Sequence, residues 1–290
     1  MKFRNPRPWG VVAAMAVVTL VLTASAGAVT SSVVYNAVPS PLPPNVASLG
    51  FEATSTSEFG DYVHLGGTDR NLDAVTVTMS DWALHSDYPS MLATGWTHPI
   101  TLNIYNVVPG TPNALGSRLG TVTQTISIPW RPEASPGCGT AWKASDGQCY
   151  NGIAFNATFD MSSLNLTLPN DVIVGIAYNT ADYGSAPIHA AGPYNSLNVG
   201  VPENQLVTVG SDDNTDAVFW NTSYAGFYAD GGASGVGTFR EDTNWTPNGT
   251  VAIQITASAS KDRCKNDGWK SFTNPAFKNQ GACVSFFENS

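Results

Sequence analysis

The chain has 290 residues, a formal net charge of −9 and only 12% charged residues. Lys and Arg number 13 against 22 Asp and Glu, which excludes binding through a nucleic-acid backbone, since that mode needs clustered cations. The same acidity disfavours adhesion to anionic lipid and suits a soluble exported protein.

Lys2, Arg4 and Arg7 form a positive N-terminal region, and Val11 to Leu22 is an apolar run broken only by Thr19. Two small-x-small sites follow, Ala24-Ser25-Ala26 and Ala26-Gly27-Ala28. Residues 1–28 are predicted to be a secretory signal peptide, the alternative being an uncleaved anchor. The run is shorter than the roughly 20 residues that span a bilayer. No Cys follows it and no Arg pair precedes it, which favours the ordinary secretion route. No second apolar run approaches spanning length, so no stable membrane insertion is expected after cleavage. The expected location is extracellular or at the cell envelope.

Beyond the leader, Ser40-Pro41-Leu42-Pro43-Pro44-Asn45 reads as an extended segment crossing a domain edge. Strand patterns follow. Val75, Val77 and Met79 alternate with Thr76 and Thr78. Leu102 and Ile104 alternate with polar residues, and Val122, Ile126 and Ile128 share one parity. Ile153 to Phe159, Leu164 to Leu168 and Val251 to Ile255 repeat the pattern, while Val172 to Tyr178 is a continuous apolar run suited to a central strand. Period-two alternation rich in Val, Ile and Thr predicts strands with one buried face. Turn clusters such as Gly66-Gly67, Pro109-Gly110 and Pro169-Asn170-Asp171 separate them. Residues 29–260 are therefore expected to form an all-β, jelly-roll-like β-sandwich with long loops. Tyr183 to Thr250, rich in Gly and Asn, is expected to supply extra strands or long loops at one end.

There are 4 cysteines: Cys138, Cys149, Cys264 and Cys283. In an exported chain they favour disulfides. Of three pairings, Cys138–Cys149 and Cys264–Cys283 are expected, because each pair sits within one segment. Each bridge is worth about 3 kcal/mol in the chain-entropy model. Zinc is the alternative, but the spacings of a zinc site are missing. Residues 261–290 turn basic and gather Trp269, Phe272, Phe277, Phe286 and Phe287 around the last two cysteines. They are expected to form a separate module, too small to fold on apolar burial alone.

Tyr35 to Ala53, with Pro-Ser-Pro-Leu-Pro-Pro-Asn and Leu-Gly-Phe-Glu-Ala, continues through Glu58-Phe59-Gly60-Asp61 to Val75-Thr76-Val77-Thr78-Met79-Ser80. It resembles a group of uncharacterised secreted actinobacterial proteins. Leu102-Asn103-Ile104-Tyr105 and Val174-Gly175-Ile176-Ala177-Tyr178 add a broader likeness to jelly-roll-type domains of bacterial surface proteins. The tail Cys264-Lys265-Asn266-Asp267-Gly268-Trp269, with Phe277-Lys278-Asn279-Gln280-Gly281 and Cys283-Val284-Ser285, is similar to one that recurs on unrelated actinobacterial exported proteins. Neither resemblance implies an activity or catalytic residues.

Candidate chemistry is sparse. Ser234 in Gly232-Ala233-Ser234-Gly235-Val236 lacks the second Gly of a nucleophile elbow, and no His-Glu-x-x-His motif exists. His64, His85, His98 and His189 are isolated. A carboxylate pair for polysaccharide hydrolysis needs no local pattern and stays open. Asp69-x-Asn71-x-Asp73 and Asp212-x-Asn214-x-Asp216 space oxygen ligands as a structural Ca²⁺ requires, the alternative being turns in which these side chains bond the backbone. Tryptophans in polar contexts suit stacking on sugar rings. Trp220 with Asn221, and Trp245 with Asn244, are the candidate ligand-binding residues, against the alternative that they are packed core. The expected function is non-catalytic binding of a glycan or cell-wall polymer, with the basic tail as an attachment module. A structural or self-assembling matrix protein and a hydrolase with an unmarked carboxylate pair are the alternatives.

Overall fold

The computed structural model describes residues 31–110, 113–178, 191–259, 261–265, 267–271 and 276–288. The expected leader, His189 and Phe272 lie outside them. Among the described residues fourteen strands follow in chain order: β1 (Ser32–Asn36), β2 (Ser48–Gly50), β3 (Glu58–His64), β4 (Asn71–Asp81), β5 (Trp96–Val108), β6 (Ala114–Ile128), β7 (Trp142–Lys143), β8 (Cys149–Tyr150), β9 (Ile153–Asp160), β10 (Asp171–Tyr178), β11 (Leu197–Gly200), β12 (Ala217–Trp220), β13 (Arg240–Thr243) and β14 (Ile253–Ser258).

Alternation on β4 turns Val75, Val77 and Met79 into the core, and Thr76 and Thr78 to the other face. Eleven residues make β4 long enough for two partners along one edge. β14 pairs with Asn71–Val77 and β11 with Met79–Asp81, while β9 lines the opposite edge. β1 extends this sheet beyond β14, and β2 extends it beyond β11. The second sheet runs β13-β12-β3-β10-β5-β6, with every pairing antiparallel. β10 is interior, as its continuous apolar run requires. Val34, Val77 and Ile255 from the first sheet meet Phe59, Ile104 and Ile176 from the second, all fully buried, which makes a β-sandwich.

The outer face of the second sheet carries a smaller apolar cluster of Tyr62, Tyr105, Ile173, Phe219 and Phe239. Two glycines clear room for it. A Cβ on Gly60 would lie 2.9 Å from the Phe239 ring, and one on Gly175 would lie 2.1 Å from a Glu58 carboxylate oxygen. That oxygen accepts hydrogen bonds from Asn103 Nδ2 at 2.8 Å and Tyr105 Oη at 2.9 Å.

One strand expectation is corrected. Leu164, Leu166 and Leu168 do not lie in a strand. Ser162–Leu164 is a 3₁₀ turn closed by Asn165 at φ 45°, and only a single bridge, Asn71 to Thr167, follows. Their alternation reflects Leu168 entering the core while Leu164 and Leu166 pack against it, without a ladder to join.

Both local disulfides form, and no described cysteine is free. Cys138–Cys149 ties the segment that carries the short β7–β8 hairpin. Cys264–Cys283 joins the 3₁₀ turn Lys261–Cys264 to helix α1 (Gln280–Glu288). A nine-residue helix is marginal alone. Here the Asn279 side chain accepts the Ala282 N–H at 2.8 Å as an N-cap, and Phe286 packs 5.0 Å from Phe287 and 5.5 Å from Phe277. Among the described residues no helix is long and apolar enough to cross a membrane.

Candidate functional site

β12 and β13 pair so that Val218 lies opposite Asp242 and Trp220 opposite Arg240. The Asp242 side chain is only 3% exposed. Its Oδ2 accepts the indole N–H of Trp220 and that of Trp245, each at 3.1 Å, and its Oδ1 accepts the Ala229 N–H at 3.1 Å. Three donors on one carboxylate satisfy a charge that would otherwise be costly to bury. The two indoles meet edge to face with centroids 4.9 Å apart, a favoured geometry for ring quadrupoles.

The turn that follows β13 positions Trp245, and Asp216 builds that turn. Its carboxylate accepts the Thr246 N–H at 2.7 Å and the Asn244 N–H at 3.2 Å. Those bonds, the one from Thr246 first, hold the Asp216 carboxyl below its ordinary range. Asn244 sits at φ 68°, a conformation that Asn tolerates better than most residues. Phe227, from the 3₁₀ turn Ala225–Phe227, is half-exposed, with its ring 6.3 Å from Trp220. Ser48 and Leu49 of β2, Val201 and Asn248 form the opposite wall, and Asn248 Nδ2 donates to the Val201 carbonyl at 2.7 Å. The cavity is open to solvent and measures about 650 Å³, within the range of small-molecule sites.

Trp245 and Asn244 therefore line one pocket, and Trp220 forms its floor. Trp220 is corrected as a stacking residue. It is 2% exposed, with its face stacked on Phe59 at 5.6 Å. Strand alternation aims it into the core, whatever the polarity of its sequence neighbours. Asn221 does not line this pocket. Its Oδ1 accepts the Ser57 and Glu58 N–H groups and its Nδ2 donates to Ser57 Oγ, fastening β12 to the start of β3.

Asp212, Asn214 and Asp216 spend their oxygens on the protein. Asp212 accepts the Asn214 N–H and the Thr250 hydroxyl, and Asn214 accepts the Asp216 N–H. These are the bonds of consecutive Asx turns. In the other Asp-rich segment, Asp69 and Asp73 accept the hydroxyls of Ser32 and Ser31. Among the described residues no group of three or more His, Cys, Asp and Glu could hold a metal ion.

Sequence reasoning missed Asp242 and Phe227. Asp242 is marked only by its partners, one of them 22 residues away. Phe227 lies in a Gly-rich stretch with no periodicity.

A second cavity, of about 640 Å³, is lined by Asp213, Asp230, Arg240 and Glu241. Arg240 pairs with Asp230 at 2.8 Å and holds its carboxyl low. Burial pushes the Glu241 carboxyl up, although its Oε2 accepts the Asn113 N–H at 2.6 Å.

Two further carboxyls are buried inside the sandwich. Asp81 accepts the Trp96 indole N–H at 3.1 Å and the Ala83 N–H at 3.3 Å, yet burial pushes it up to about 7. Asp61 accepts the Val251 N–H at 2.8 Å, and burial holds it well above the usual carboxylate range.

No protein-family model, curated protein or solved structure matches the chain, so the functional reading rests on the chemistry of the site.

Proposed function

We propose that the chain is an exported, non-catalytic binding protein whose pocket takes a saccharide of an extracellular glycan or cell-wall polymer. The observation that carries this reading is the pairing of half-exposed Phe227 and partly buried Trp245 with Asn244 and Asn248 around one cavity. Sugar rings present apolar faces to aromatic rings, and their hydroxyls pair with side-chain amides. The predicted leader and two disulfides support an oxidising, extracellular setting. The basic C-terminal module is assigned as an attachment element for an anionic wall polymer.

Co-sedimentation of the purified protein with insoluble polysaccharides and isolated cell walls tests this reading. Saturable binding with little salt dependence is expected. Trp245→Ala and Phe227→Ala should each weaken it tenfold or more, since a central aromatic anchor is worth about 2 kcal/mol. A chain ending at residue 260, run beside the whole protein, reads the share of the tail. Binding indifferent to both aromatic changes would remove the pocket from the account.

Hydrolysis is a second reading, favoured by the acid-lined cavity alone. Glu241 is pushed up and Asp230 held down in one cleft, the division of roles between a general acid and its ionised partner. Release of reducing ends from a polysaccharide, lost in Glu241→Gln with the fold intact, is its expected signature. Undiminished turnover in that variant would end it.

A further inference from the structure

We infer that the pocket is one end of a longer surface, continued by a second aromatic station on the disulfide-tied hairpin, and that the ligand is a polysaccharide chain rather than a single sugar. The inference rests on the saccharide reading of the pocket. Trp82 leaves the end of β4 and is 44% exposed. Its indole N–H donates to Ser80 Oγ at 3.1 Å, and Ser80 in turn donates to Asn45 Oδ1 at 2.7 Å. The indole N–H of Trp142 donates to the Gly152 carbonyl at 2.8 Å. A Cβ on Gly152 would lie 2.5 Å from the Trp82 ring, so bare backbone at Gly152 brings the two indoles to either side of one residue. Trp142 pairs across the hairpin with Tyr150, centroids 6.0 Å apart, and Tyr150 Oη donates to Asp146 Oδ2 at 2.7 Å.

Every polar edge in this row is already bonded to the protein, which leaves ring faces for a ligand. The Cys138–Cys149 bridge and the bond from the Lys143 N–H to Ser135 Oγ hold the hairpin in place, so little ordering cost remains on binding. Exposed Lys143 and Asp146 flank the row with opposite signs, which favours a ligand without strong net charge over a charged peptide.

The segment Pro44–Leu49 joins the two stations. The Pro44 carbonyl accepts the Ala154 N–H beside the row, and Asn45 holds Ser80. The Ala47 carbonyl accepts the Val201 N–H, and Ser48 and Leu49 already line the pocket. Asn45 and Ser48 are three positions apart, a distance of at most about 11 Å when extended. On this inference one polymer chain of a few rings follows that segment from the row to the pocket.

Affinities for insoluble chitin, cellulose and peptidoglycan sacculi, and for their soluble mono- and disaccharides, test the inference on the wild type, Trp245→Ala, Trp82→Ala and Tyr150→Ala. The polymer dissociation constant should rise at least tenfold in all three variants. Binding of the short saccharide should fall only in Trp245→Ala. Thermal midpoints and near-ultraviolet spectra confirm folding, and Tyr150→Ala, at a hairpin surface, stands in if Trp82→Ala is unstable. Polymer binding lost only in Trp245→Ala overturns the extended surface and leaves the pocket reading intact. Loss only in the hairpin variants overturns the pocket reading and, with it, a joint surface. Self-association abolished by Trp82→Ala assigns the row to a second copy of the chain and overturns the inference. Absence of binding to any probe overturns both.

Discussion

Asp81→Asn is expected to flatten a large part of the pH dependence of folding stability between about pH 4 and pH 7. In the native state this carboxyl is buried and pushed up to about 7, against an ordinary value of 3.8. Three backbone or indole N–H groups and Arg131 favour the ionised form, but the desolvation cost outweighs them. Between those two values the folded chain keeps a proton that the unfolded chain has released, so stability falls as pH rises. The contribution is full below about pH 4 and gone above about pH 7. A gap of about three pH units corresponds to roughly 4 kcal/mol. The wild type should therefore resist urea better at pH 5 than at pH 8. Asn keeps a carbonyl oxygen for the Trp96 indole and has no charge to lose, so the variant should show a much shallower slope. Some slope will remain, because Asp61 and Asp212 are also raised by burial, the latter to about 6. Asp171 and Asp230 are held low and lose their contributions only at more acidic pH, outside the pH 5 to 8 comparison. Equal slopes in wild type and variant would show that the site is hydrated in solution.

Asp242→Ala is expected to be the most damaging single change at the pocket. It strands the indole N–H groups of Trp220 and Trp245 and the Ala229 N–H. An unsatisfied buried donor costs about 1–3 kcal/mol, so a loss of at least about 3 kcal/mol is expected in denaturant titration. Near-ultraviolet circular dichroism should change as the edge-to-face indole pair loosens, and saccharide binding should fall with it. Asp242→Asn retains one acceptor oxygen and should lose less on all three measurements. An alanine variant within about 1 kcal/mol of wild type would mean that water replaces the carboxylate without cost.

These effects centre on residues that the sequence did not single out, and the reason is physical. Strands with one wet face announce themselves: Val75, Val77 and Met79 alternate with threonines, and β4 follows. β3 does not, because Phe59 to Val63 are buried on both faces, under the sandwich core on one side and the Phe239 cluster on the other. Trp220 looked exposed because Asp216 and Asn221 flank it, yet Ala217–Trp220 is buried throughout. The covering comes from chain far along the sequence, which no local polarity encodes. The same limit applies to Asp-x-Asn-x-Asp. Those oxygens cap a turn as readily as they ligate an ion, and the spacing alone does not distinguish the two. The disulfides were legible because short loops bring their ends together cheaply.

The pairing of β1 with β14 has a kinetic consequence. Among the described strands β1 pairs only with β14, and Ser32 bonds to Ala257, 225 residues away. Contacts of such separation form slowly. A chain delivered amino-terminus first, whether from a ribosome or through a narrow export channel, carries an open sheet edge until its last strand arrives. β4 waits as well, with the edge that β14 will occupy bare over most of its length. β14, the last strand to emerge, covers both of those edges at once.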